Sequence, residues 1–179
     1  YIKKKLPKKI ILSGPNGIGK STFSYHLINY IFSLNEKNNY DLKNLKINEI
    51  NRSFNLVKNN SHPNFHLIKP SDEKKNIEID QIRKMINFCN KSSFNNREKI
   101  VLIDSIEKLN KNSVNALLKI VEQPNDNIYF ILILDSNKNI LNTLKSRCVK
   151  FNFFLTSKES IKITNLITKS NIFELINQD

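Results

Sequence analysis

Nine consecutive residues, Gly14-Pro15-Asn16-Gly17-Ile18-Gly19-Lys20-Ser21-Thr22, have the types and the spacing needed to hold a chain of phosphates. They fit G-x-x-x-x-G-K-[ST], and the physical reason for each type is direct. Glycines let the backbone from Gly14 to Thr22 curl, so that successive N–H groups point inward at phosphate oxygens. A helix opening at Lys20 adds the positive end of its dipole. Lys20 is long enough to reach β- and γ-phosphates, and Ser21 offers a hydroxyl to Mg²⁺. Such a site needs an acid across the sheet to hold the metal. Asp104, which follows the apolar run Ile100-Val101-Leu102-Ile103, is the candidate; it would orient Mg²⁺ through the ion's water shell. The residue after it is Ser105, whose hydroxyl is no general base near neutral pH without a partner. Glu107 stands three positions past Asp104 and cannot take that place unless the turn is rearranged. These residues therefore support nucleotide binding (ATP or ADP with Mg²⁺) more firmly than turnover.

Short apolar runs bounded by turn residues must position this chemistry. They predict buried parallel strands at Ile10–Ser13, Phe65–Ile68, Ile100–Asp104, Tyr129–Leu134 and Val149–Phe153. Helical patterns run between them, from Lys20 to Ser33, Ile79 to Asn90, Ser113 to Glu122 and Ile140 to Lys145. Strands alternating with helices predict a three-layer α/β domain, a five-stranded parallel sheet covered on both faces, over residues 1–154. The stretch Asn35–Ser61 is rich in Asn and Lys and weakly periodic; it predicts one helix near Ile47–Val57 with flexible flanks. Helical patterns at Ser157–Ile167 and Ile172–Ile176 predict that residues 155–179 begin a second, helical unit. With no starting Met and an end just past a helical pattern, the sequence reads as a piece of a longer protein.

At 179 residues, 39% of them hydrophobic, the chain can bury one well-cored domain. No apolar run of about 18 residues is present to span a membrane. The basic start Tyr1-Ile2-Lys3-Lys4-Lys5 has no apolar segment behind it, so it is not a secretory signal. Cys89 and Cys148 lack ligand spacing, which excludes a structural zinc site by count and fits a reduced, cytosolic setting. The net charge of +13 permits nucleic-acid binding without diagnosing it, because a chain crowded with Lys, Asn and Ile reflects A- and T-rich codons. The cluster Lys3, Lys4, Lys5, Lys8 and Lys9 reads as solvated surface.

Four stretches together resemble the AAA+ module of bacterial clamp-loader subunits, within that family the delta-prime group of DNA polymerase III. They are Leu6-Pro7 with Ile11 through Thr22; His62-Pro63-Asn64-Phe65-His66 with Ile79-Asp80-Gln81-Ile82-Arg83; Val101 through Asp104 with Asn115-Ala116-Leu117-Leu118-Lys119 and Glu122-Gln123-Pro124; and Leu144-Lys145-Ser146-Arg147-Cys148. The resemblance implies a RecA-like P-loop domain followed by a helical lid, and a cytoplasmic, hetero-oligomeric loader of other clamp-loader subunits. It implies contact with the sliding clamp only indirectly, and with primed DNA through the assembly. It also implies that Arg147 is a finger projecting into a neighbouring subunit's ATP site, against the plainer reading of a helix-end arginine paired with a local acid. Departures bear on the role. No cysteine lies between Asn35 and Ser61, where many relatives hold a zinc module. The polar sensor expected at the end of the fourth strand falls near Leu134 and Asp135, and Leu134 cannot sense a phosphate. With Ser105 in place of the water-activating Glu, these losses favour the non-motor delta-prime over the hydrolysing gamma/tau subunit. A P-loop kinase would have no use for the Ser-Arg-Cys end, and a DNA-binding module none for an intact P-loop. Taken alone, His62 and His66 read as packing or turn chemistry, and Met85, Phe88 and Cys89, at helical spacing, as core.

Overall fold

Five runs dominated by Ile, Leu, Val and Phe form one sheet: β1 (Lys9–Gly14), β2 (Phe65–Ile68), β3 (Lys99–Ile103), β4 (Ile128–Asp135) and β5 (Val149–Asn152). The computed structural model describes residues 6–70, 75–122, 127–156 and 158–159. All pairings are parallel, in the order β2-β3-β4-β1-β5. Parallel neighbours need crossovers, which are supplied by α1 (Lys20–Ser33), α2 (Arg52–Lys58), α3 (Ile79–Asn90), α4 (Lys111–Glu122) and α5 (Asn142–Lys145).

Side chains alternate across each strand, so burial on both faces requires continuous apolar runs. Ile10, Leu12, Ile100, Leu102, Ile131 and Ile133 pack on one face with Ile28, Ile31 and Phe32 of α1 and Val57 of α2. Ile11, Val101, Ile103, Phe130, Leu132 and Leu134 pack on the other with Ile82, Met85 and Cys89 of α3, Leu117 and Val121 of α4 and Leu144 of α5. The result is the predicted three layers. β2, α1 and α3 have the predicted bounds, and the other predicted strands lie within a residue or two of theirs. No helix among the described residues is long and apolar enough to cross a membrane.

Two lysines on the sheet hold the C-terminal ends of helices, where unpaired carbonyls and the dipole attract cations. Lys9 Nζ donates to the carbonyl of Val121 at 3.1 Å, in the last turn of α4. Lys99, 3% exposed, donates to Phe88 O at 2.5 Å and to Lys91 O, and lies 4.6 Å above the Phe88 ring. Burial lowers the Lys99 pKa, and the neighbouring Lys91 charge adds to that. Lys9 was expected on the solvated surface, but its ammonium is held by the Val121 carbonyl at the end of α4. Lys3, Lys4 and Lys5 lie outside the described residues.

The stretch between α1 and β2 is ordered by polar side chains, to which a hydrophobic period is blind. α2 starts at Arg52, several residues after the expected Ile47, because Asn51 Oδ1 accepts from the Phe54 amide and caps it. The expected flexible flank holds a tight turn: Asp41 accepts from the amides of Lys43 and Asn44 and pairs with Lys46 across a bridge. Glu36 accepts from Ser53 Oγ at 2.6 Å and Asn51 Nδ2 at 3.0 Å. His62 completes this cluster, stacked on Phe32 at 4.1 Å with Nε2 3.3 Å from Ser53 Oγ. His66 stacks on Phe88. Both histidines are packing residues, as are Met85 and Cys89 in the core and Phe88 at its edge.

Burial lowers the His62 pKa from 6.5 to about 4, with the Glu36 charge opposing and Arg97 assisting. The unfolded chain therefore binds a proton at this site between those values and the folded chain does not, so stability is full above pH 6.5 and falls as pH drops toward 4. After discounting for solvent screening of the half-exposed ring, His62 accounts for about 1–2 kcal/mol of that loss. Urea unfolding at pH 7 and pH 5 should show a drop that His62→Phe reduces.

Candidate functional site

The C-terminal edge of the sheet gathers the residues singled out for chemistry, as open parallel sheets do. β1 ends at Gly14, the loop turns through Gly17 (φ 80°) and Gly19 (φ 96°), and α1 begins at Lys20. Gly19 has a left-handed backbone and supplies no side-chain cap to the first turn of α1. That arrangement lets helix-terminal N–H groups serve an anion. Gly14 is required for a different reason: a Cβ there would lie 2.7 Å from the Phe153 carbonyl oxygen and 2.9 Å from the Phe153 Cβ.

Lys20 is 5% exposed and folds back over the loop, donating to Gly14 O and Pro15 O at 2.7 Å each. Its ammonium is thus aimed into the cradle by two carbonyls. Ser21 Oγ donates to Asp104 Oδ2 at 3.2 Å, bringing together the two groups predicted to serve Mg²⁺. A hydroxyl and a carboxylate are hard oxygen donors of the kind that ion prefers, with phosphate and water completing its shell. Among the described residues no three His, Cys, Asp or Glu gather as a metal cage. One protein carboxylate beside a phosphate loop matches the way Mg²⁺ is ordinarily bound with nucleotides. The Tyr25 pKa is raised by burial and by the Asp104 charge.

Ser105 sits at φ 65°, and its hydroxyl donates to Asp104 Oδ1 at 3.3 Å. The left-handed turn leads into a 3₁₀ turn at Ile106–Lys108 that carries Glu107 away from Asp104, to accept from the Asp135 amide at 3.3 Å. Glu107 does not replace the missing base beside Asp104.

Strand register settles the fourth-strand residues. Leu134 points into the core, whereas Asp135 pairs with Gly14 across β1 and β4. Its carboxylate, 7% exposed as a residue, accepts from Asn16 Nδ2 at 3.2 Å and the Asn137 amide at 3.0 Å. Sequence reasoning placed Asp135 near the sensor position without giving it a role; the period-two alternation from Ile131 to Asp135 carried that signal.

Other singled-out residues lie elsewhere. Arg147 Nη2 pairs with Glu122 Oε1 at 2.8 Å, and Nη1 donates to Thr143 O at 2.7 Å. Within the chain it shows the local pairing, and it bonds no residue of the phosphate loop. Gln81 completes a capping box with Glu78 and donates to Lys69 O at 2.9 Å. Asn64 spans to Phe94 with both amide groups. Burial pushes the Cys89 and Cys148 thiols up to about 11, which leaves them poor thiolate ligands. Gln123, Pro124 and nearly all of the expected helical unit after 155 lie outside the described residues. Thr156 and Glu159, both described, bond reciprocally as a helix-initiating capping box.

The family model described as DNA polymerase III, delta subunit matches residues 1–156. The chain is 30% identical over 172 residues to a DNA polymerase III subunit delta' of Buchnera aphidicola subsp. Baizongia pistaciae, covering 91% of this chain and 50% of the relative. It is 35% identical over 107 residues to the subunit delta' of Haemophilus influenzae, covering 60% of this chain and 32% of the relative. The chain therefore spans about half the length, or less, of these curated relatives. A DNA polymerase III subunit gamma of Buchnera aphidicola subsp. Schizaphis graminum is 33% identical over 90 residues, half of this chain and 25% of that one. In fold, the chain is similar to the crystal structure of a DNA polymerase III gamma subunit-related protein of Thermotoga maritima, with a TM-score of 0.63 and 22% identity over 88% of this chain and 44% of that one.

The close approach at Gly14 generates a stability prediction. Gly14→Ala forces the backbone at Phe153 to move, and overpacking of this kind costs about 1–3 kcal/mol. The urea midpoint should fall accordingly, whereas Thr22→Ala, at an exposed position in the first turn of α1, should stay within about 0.5 kcal/mol of wild type.

Proposed function

Since the chain belongs to the DNA polymerase III delta-subunit family, a family of AAA+ clamp-loader proteins, we propose that it is the nucleotide-binding module of a delta-prime-type subunit. In this reading the whole protein is cytoplasmic, assembles with other clamp-loader subunits, and helps place the sliding clamp on primed DNA. It binds ATP or ADP but hydrolyses it weakly or not at all. The observation that carries the nucleotide role is the convergence, at one sheet edge, of the buried Lys20 ammonium and the Ser21–Asp104 hydrogen bond.

The residues divide the work by their chemistry. The loop from Gly14 to Thr22 cradles phosphates with backbone N–H groups and the end of the α1 dipole. Lys20 exchanges its bonds to Gly14 O and Pro15 O for bonds to phosphate oxygens. Ser21 and Asp104 would hold Mg²⁺, which supplies neutralisation of phosphate charge when bound. Directly after Asp104 stands Ser105, whose hydroxyl donates to the Asp104 carboxylate, and Glu107 turns one carboxylate oxygen to the Asp135 amide, which supports weak hydrolysis. The motor subunit remains a second reading, supported by the gamma relative; it would need a water-activating group, and Ser105 stands where hydrolysing relatives are expected to carry a Glu.

Titration with fluorescent nucleotide tests the first half of this reading. Wild type should bind with Mg²⁺, and Lys20→Ala should weaken binding at least about tenfold, the loss of one charge-assisted contact. Phosphate release by the same sample should stay well below about 1 s⁻¹, the low end of ordinary turnover. Equal affinity of the two proteins, or turnover in the ordinary range, would count against it.

Arg147 supplies the second test. A guanidinium remains charged and engages phosphate oxygens with a fork, and its present partner, Glu122, is 46% exposed at the side chain. An exposed pair of this kind holds little free energy, so exchange for a neighbouring subunit's phosphate is inexpensive. In the full-length protein assembled with its loader partners, Arg147→Ala should lower DNA-stimulated ATP turnover while leaving this chain's own nucleotide affinity unchanged. The reverse pattern would show Arg147 acting within its own chain.

A further inference from the structure

We infer that Asp135 makes this loop a site for a nucleoside diphosphate and sets it against the triphosphate. The inference rests on the phosphate-binding role proposed above for Lys20 and its loop, and adds what that site selects.

Asp135 closes β4 directly beside the end of β1, in register with Gly14. Its neighbour Ser136 donates its amide to Gly14 O at 3.0 Å, and Lys20 Nζ donates to the same oxygen at 2.7 Å. One carbonyl thus separates the lysine ammonium from the Asp135–Ser136 peptide. The Asp135 carboxylate is held over the loop by a side chain of the loop itself, Asn16 Nδ2 at 3.2 Å, and by the Asn137 amide at 3.0 Å. Both donors are neutral. Among the described residues no cation forms an ion pair with Asp135, and the residue is 7% exposed. Its carboxylate therefore meets neutral donors directly, with no salt bridge to it among the described residues.

Lysines of such loops serve the β- and γ-phosphates, so the last phosphate of a triphosphate is the one brought toward this edge of the cradle. A diphosphate stops one group short and carries less charge there. Like charges within several ångströms in a poorly hydrated site repel strongly enough to shift binding by a factor of ten or more. Ser21 and Asp104 would hold Mg²⁺, whose charge would offset part of this, so the expected discrimination is about tenfold rather than far higher. Asn16 supports the assignment: by donating to Asp135 it fixes the carboxylate against the loop instead of letting it turn to solvent.

The test is a set of titrations of the full-length protein with ADP and with ATP, both with Mg²⁺. Wild type should bind ADP about tenfold more tightly than ATP. Asp135→Asn keeps an oxygen for the Asn137 amide and removes the charge; it should tighten ATP about tenfold and leave ADP within about twofold. Because a variant at this buried position can fold poorly, its urea midpoint is measured beside wild type, and Asp135→Glu, which keeps the charge, should keep the preference for ADP. Equal wild-type affinities, or an Asn variant that shifts both nucleotides alike, would overturn the selectivity while leaving the phosphate site standing. Failure of wild type to bind either nucleotide would overturn both readings.

Discussion

The carbonyl oxygen of Gly14 accepts from Lys20 Nζ and from the Ser136 amide, and much of the candidate site depends on that double use. It joins the first strand, the first helix and the end of the fourth strand at one atom. A parallel sheet makes this possible, because all five strands end their C-terminal residues at the same edge and β1 lies between β4 and β5. The lysine could not be buried at 5% exposure without acceptors for its ammonium, since an unpaired buried charge is severely destabilising. The loop carbonyls provide those acceptors and also hold the cation at the mouth of the helix.

Polar groups elsewhere follow the same logic. Lys9 and Lys99 sit against helix C-termini, so part of the chain's positive charge serves internal capping rather than an external anion. Glu36 collects Asn51, Ser53 and the neighbouring His62 between α1 and α2. Each buried charge is matched by several donors or acceptors, which lets a chain so rich in Lys and Asn keep an apolar core. The count of +13 is accordingly a poor measure of what the surface offers to nucleic acid.

The sheet and its two apolar faces were legible in the sequence because burial on both sides leaves continuous apolar runs that no loop imitates. The phosphate loop was legible because its spacing follows the geometry of a strand, a turn and a helix. Three features were not. The onset of α2 depends on the Asn51 cap, and its apolar pattern extends beyond the helix that forms. The place of Glu107 depends on Ser105 adopting a left-handed backbone, a conformation uncommon for serine and not announced by its neighbours. The partnership of Asp135 with Asn16 links residues 119 positions apart, so only the strand register reveals it. The Arg147 finger belongs to a different category: the chain alone shows its pairing with Glu122, and its proposed target belongs to another subunit.

The strand order also constrains how the protein is made. β1 is made well before its two neighbours in the sheet, β4 and β5, and its register partners begin with Phe130 and Val149. Synthesis at about 5–20 residues per second leaves the first strand and its loop without lateral partners for several seconds or more. During that interval the run Ile10-Ile11-Leu12 is an exposed apolar segment with open backbone groups on both sides, the kind of segment that chaperones retain. Pairings of such long sequence separation also slow folding. The bonds between Gly14 and Ser136 and between Asn16 and Asp135 therefore form only once the fourth strand has been made.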